Sequence, residues 1–80
     1  MKLVTVYDTK AQAHLQLATV RTTAEDLRHF ETECKNPNSQ FYKYPADFIL
    51  KEVADYDELT GIISPYESHK ILATALDFKE

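Results

Sequence analysis

Four residues in this chain are strong breakers of regular structure: Gly61 and the prolines at 37, 45 and 65. Proline lacks a backbone N–H and pushes the residue before it out of the helical region, while glycine takes positive φ at no steric cost. With so few interruptions in 80 residues, most of the chain must lie in strands and helices.

Lys2 to Tyr7 alternates β-branched and aromatic residues, which predicts a strand. Asp8-Thr9-Lys10 is a polar break. Ala13 to Val20 alternates again, with Leu15 and Leu17 on one face and His14 and Gln16 on the other. The short connection predicts an antiparallel hairpin. Thr22 and Glu25 then form a capping box, and Ala24, Leu27, Phe30 and Cys34 recur at helical spacing. Pro37 ends that helix at Lys35 or Asn36.

Residues 36–45 form the longest stretch without periodicity, and loops of that length are often functional. Phe48 to Tyr56 predicts a third strand, Asp57 to Gly61 a turn with Gly61 at positive φ, and Ile62-Ile63 the start of a short fourth strand. Ser64-Pro65-Tyr66-Glu67 reads as a second capping box with proline at the first helical position. Ile71, Leu72, Ala75 and Leu76 would give the second helix its apolar stripe.

The fold class expected is α+β, a two-layer sandwich in ββα-ββα order. It has a small, mainly antiparallel sheet with two helices on one face. Residues 1–80 make one domain, with Leu15, Leu17, Leu27, Phe30, Phe48, Leu50, Ile71, Leu72 and Leu76 in a common core. The other sheet face carries His14, Gln16 or Lys51 and is expected to be wet or to pair with another subunit.

A domain of this size buries only about 60% of the surface its unfolded chain exposes. Cys34 is the only cysteine, which rules out an internal disulfide and a cysteine-based zinc site. An unpaired cysteine on an apolar helix face fits a reducing compartment and a buried thiol. Small domains without staples commonly gain stability from a partner chain, so a homodimer is expected. No apolar run approaches the ~20 residues of a membrane span, and no export signal stands at the N-terminus.

Catalytic and cofactor signatures are not found, and no enzyme activity, metal or cofactor is expected. Asp55, Asp57 and Glu58 resemble part of a calcium loop. Leu59 stands where a third ligand belongs and Thr60 where the glycine belongs, so a solvated turn is the plainer reading. His14, His29 and His69 have no metal-ligand spacing. Cys34 lies at a helix C-terminus, the end of the dipole that disfavours a thiolate.

The segment from Lys35 to Tyr44 holds Lys35, Phe41, Tyr42, Lys43 and Tyr44 and no acid. Rings interleaved with cations can stack bases and neutralise phosphates of single strands. The plainer reading is that Phe41 and one tyrosine plug the core while the lysines stay in water, because large aromatics in a small domain usually pack. The net charge of −4 argues against a non-specific DNA coat but leaves room for a local basic patch. Asp47, Glu52, Asp55, Asp57, Glu58 and Glu67 against Lys51 make residues 46–67 an acidic strip.

Several segments, in order, resemble the small nonstructural protein of microviruses, in the gokushovirus branch of single-stranded DNA phages. They are Val6-Tyr7-Asp8-Thr9-Lys10-Ala11-Gln12-Ala13, then Arg21-Thr22 with Arg28 and Phe30, then Asn36-Pro37. Lys43-Tyr44-Pro45-Ala46-Asp47-Phe48 follows with Leu50, then Asp55-Tyr56-Asp57 and Thr60-Gly61. The chain departs from that family at His14-Leu15-Gln16-Leu17, where members often carry a proline-rich aromatic stretch, and at Ala54, where they often carry glycine.

The resemblance implies a protein made in the cytoplasm of the infected bacterium and absent from the mature capsid. It implies an accessory role in viral DNA replication, in the switch from duplex copies to single strands, and it carries over no catalytic residue. Two function classes stay open. One is a replication factor that touches single-stranded DNA through Lys35, Phe41, Tyr42, Lys43 and Tyr44. The other is an acidic adaptor that binds a viral or host replication protein without touching DNA.

Overall fold

The computed structural model describes residues 1–78. Its centre is strand β1, Lys2–Asp8, which pairs with β2 (Ala13–His14) and β3 (Ala18–Val20) on one side and with β4 (Phe48–Tyr56) on the other. Strand β5, Ile63–Thr74, lies along the far side of β4, and every pairing is antiparallel. The fold class is the expected α+β one.

The hairpin turn closes on Asp8, whose Oδ1 accepts from the backbone N–H of Lys10 (3.0 Å) and Ala11 (3.2 Å). The continuous strand expected over Ala13 to Val20 is divided. Residues 15–17 are not strand, although the Leu15 N–H still donates to the Val6 carbonyl at 2.8 Å and the Thr5 hydroxyl donates to the Leu15 carbonyl at 3.0 Å. Leu15 and Leu17 are exposed rather than in the core, because the core forms elsewhere.

Helix α1 runs Thr23–Cys34 and begins where the capping residue predicts: Thr22 Oγ1 accepts from the Glu25 N–H at 3.1 Å. It ends at Lys35, whose N–H donates back to the Glu31 carbonyl, two residues before Pro37. Phe30 and Cys34 are buried against Phe48, Leu50, Ala73 and Ala75, with Val6, Leu27, Phe41, Leu72 and Phe78 packed around them. Burying side chains of the Leu and Phe size contributes about 1.5–3 kcal/mol each.

The helix expected after Pro65 is not formed. Ser64-Pro65-Tyr66-Glu67 lies inside β5, and the second helix is a single turn, α2 (Gln40–Lys43), capped by Ser39, whose Oγ accepts from the Phe41 N–H at 3.1 Å. The reason is non-local. Without β5, the outer N–H and C=O groups of β4 would have no partner beside a buried core. Ladder bonds to β4 satisfy them and outweigh a local cap signal.

Pro65 is compatible with a strand at the sheet edge. The register passes from Glu52↔Lys70 to Ala54↔Pro65, so residues 66–69 form a wide bulge opposite Val53. Ile71 and Leu76, expected in the core, are 63% and 52% exposed. Ile71 pairs with Lys51 and shares its face, away from α1, and Leu76 lies in the 3-10 turn Ala75–Phe78 that follows the strand.

Candidate nucleic-acid interface

The segment from Lys35 to Tyr44 folds around α2 and divides its aromatic residues. Phe41 turns inward, its ring 4.7 Å from that of Phe48 and 5.5 Å from that of Phe30. It is partly buried and packs against the core. Tyr42 and Tyr44 turn outward, 52% and 60% exposed, with Lys43 exposed between them. Lys35 Nζ lies 3.0 Å from Glu31 Oε2, one helical turn back, so its charge is partly neutralised. What remains for a nucleic acid is Tyr42-Lys43-Tyr44.

A 3-10 turn, Pro45–Asp47, leads from Tyr44 into β4. Thr9 clips it to the tip of the β1–β2 hairpin, donating to the Asp47 carbonyl from both its N–H (2.9 Å) and its hydroxyl (3.1 Å). The tyrosine turn is thereby fixed beside the strand end that carries Tyr7.

A second group of rings and cations lies on the sheet. Strand residues alternate between faces. Val6, Leu50 and Ala73 look toward α1, so Tyr7, Ile49 and Lys51 look away from it, and the register shift at Leu72 turns Ile71, the partner of Lys51, the same way. His14 is paired with Tyr7 and shares its face, with ring centroids 4.7 Å apart. The ammonium of Lys51 sits 4.6 Å from the Tyr7 ring centroid and 3.5 Å from His14 Nε2. His69 reaches over from the bulge to 5.8 Å from the His14 ring. Partial desolvation, then the Lys51 charge and His69, lower the pKa of His14 below the ordinary histidine value.

The sequence places His14 and Lys51 on the face away from the helices but not next to each other. Their contact depends on the β1–β4 register, and that of His69 on the bulge, which no local pattern announces.

Glu52, 1% exposed, accepts from the Tyr66 hydroxyl at 2.6 Å and lies 3.4 Å from Lys2 Nζ and 3.5 Å from Thr23 Oγ1. That hydrogen bond, followed by burial, raises the Tyr66 pKa. Asp26 is buried on α1, where burial raises its pKa against the opposing effect of His29, and its Oδ2 has no hydrogen-bond partner among the described residues. It lines a shallow cleft with Gln16, His29, Glu33 and an apolar floor of Val4, Val6 and Leu50.

Burial, with Glu33 and Glu31 alongside, pushes the Cys34 thiol up to about 11. Asp57 closes the turn before β5: its Oδ1 accepts from the Leu59 N–H at 2.9 Å, which lowers its pKa. Gly61, at φ +76°, completes that turn as expected.

A family model of the phage ORF5 protein matches residues 1–78. The chain belongs to the phage ORF5 protein family. Comparison with curated proteins and with solved structures gives no match. The match includes every element of the fold, the Tyr42–Tyr44 turn and the Tyr7–His14–Lys51–His69 group. This phage ORF5 protein has, among its described residues, no helix long and apolar enough to cross a membrane.

Proposed function

We propose that this phage ORF5 protein is a nonstructural, non-enzymatic accessory factor of viral DNA production in the gokushovirus branch of microviruses. It works in the cytoplasm of the infected bacterium by associating with single-stranded DNA. The observation that supports this reading is the turn Tyr42-Lys43-Tyr44. Two exposed tyrosines flank a lysine there, in a segment without acids.

Exposed rings stack bases of any sequence for about 1–3 kcal/mol each, and each lysine–phosphate contact adds about −0.7 to the slope of log affinity against log salt. A homodimer presenting two such turns would double both contributions. The acidic adaptor is the second reading. It is favoured by α1, where Glu25, Asp26, Glu31 and Glu33 stand against Arg28.

The test is a titration of a labelled oligothymidylate by wild type and by a Lys43→Glu/Tyr44→Ala double variant at two salt concentrations. Wild type should bind weakly, and the variant at least about tenfold more weakly, as the loss of one stack and one phosphate contact implies. Equal binding by both would move the site away from the turn. No binding by either would favour the adaptor.

A further inference from the structure

The open face of the sheet has no role in the fold that would require its composition. Tyr7, His14, Lys51 and His69 come from β1, β2, β4 and the β5 bulge. β2 and β5 are opposite edges of the sheet, yet the His14 and His69 rings stand 5.8 Å apart. The side chains therefore span the face. Tyr7 lies against His14 at 4.7 Å, and Lys51 lies over Tyr7.

The charge beside Tyr7 and His14 is the reverse of the molecule's own. The chain carries −4, and the ion pairs among the described residues are Lys2–Glu52, Arg21–Glu58 and Lys35–Glu31. Lys51 is in none of them. Its neighbours are an imidazole and a phenol ring, neither of which neutralises it. A cation beside partly exposed rings, with no carboxylate of the described residues in ion-pair range, is complementary to a phosphate next to an unstacked base.

The position adds a second argument. The bonds from Thr9 to Asp47 hold the 44–47 turn against the hairpin tip, and Tyr7 is two residues before Thr9. The exposed tyrosines of the turn and the rings of the open face thus lie at the same end of the sheet.

We propose that the open face at Tyr7, His14, Lys51 and His69 is a second contact for single-stranded nucleic acid, continuous with the Tyr42–Tyr44 turn. This rests on the reading of the turn as a nucleic-acid contact. Lys51 takes a phosphate, and the His14 and His69 rings take the neighbouring base. A strand too short to run from the turn onto the sheet engages only the turn.

The experiment is a fluorescence titration of wild type, Lys51→Gln and His69→Ala with oligothymidylates of 4 and 12 nucleotides across a salt series. Circular dichroism checks that each variant is folded. Having two variants from different strands keeps the test intact if one fails to fold.

Wild type should prefer the longer strand. Lys51→Gln should lower the salt slope for the 12-mer by about 0.7, one phosphate contact, and leave the 4-mer unchanged. His69→Ala should weaken the 12-mer alone. If wild type binds and both variants match it on the 12-mer, the open face is not a contact and the turn stands by itself. If wild type binds neither strand, the reading of the turn fails and takes this inference with it. If the variants change the mass in light scattering while DNA binding is intact, the face belongs to a second copy of the chain and the inference is overturned.

Discussion

On the helix side of β4, Phe48, Leu50, Glu52 and Ala54 are each 3% exposed or less, while Ile49, Lys51 and Val53, the residues between them, are half-buried. The same strand presents two surfaces one residue apart. The covered surface is packed by Phe30, Cys34 and Phe41 and closed at one end by the Glu52–Tyr66 hydrogen bond. The open surface carries the Tyr7, His14, Lys51 and His69 side chains lying on one another, and Ile71 on it is 63% exposed. An 80-residue chain with, among its described residues, one helix of three turns has core enough for only one face. The other face can change its side chains at little cost to stability, which is the condition a binding surface needs.

The strongest way to break this comparison is Phe48→Ala. Phe48 is 2% exposed and in contact with the Phe41 ring. Its truncation should cost about 3–5 kcal/mol, read as a fall in the urea midpoint. A cost under about 1 kcal/mol would mean that the covered face does not carry the fold. Tyr66→Phe comes next. It removes the 2.6 Å hydrogen bond to Glu52 and leaves a carboxylate buried with fewer partners, for an expected loss of about 1–3 kcal/mol. Glu52→Gln in the Tyr66→Phe background should cost less than it does alone, since the two share the bond. The smallest effect is expected from Ile71→Ser on the open face, within about 0.5 kcal/mol. A large loss there would show that the face is covered in solution by a second copy.

The covered face was largely legible in the sequence, and the open one was not. β1, α1 with its Thr22 cap, β4 and the Gly61 turn all rest on signals within a few residues, and the chain obeys them. Two local signals fail. The alternation through Leu15 and Leu17 promises a buried face, but both side chains are exposed. The Ser64-Pro65-Tyr66-Glu67 box promises a helix, but the ladder beside β4 wins because it satisfies backbone groups over a whole strand.

The 35–44 segment was legible as to composition and not as to direction. Nothing in Phe41-Tyr42-Lys43-Tyr44 says which ring turns inward until α2 sets the phase. The group on the open face joins residues as far apart as Tyr7 and His69. Such proximity follows from register and becomes visible only once the strands are placed.

The bulge at residues 66–69 has a consequence for how this chain can evolve. Insertions and deletions in a paired strand normally shift every downstream residue to the wrong face. Here the ladders Ile63–Pro65 and Lys70–Thr74 are anchored to β4 separately, and the four residues between them already stand opposite one. Glu67 and Ser68 can be lost or duplicated while both ladders keep their partners. Tyr66 and His69, tied to Glu52 and facing His14, mark the limits of that freedom. Length variation among relatives should therefore be tolerated at this site, in the middle of a strand, where a β-sheet ordinarily forbids it.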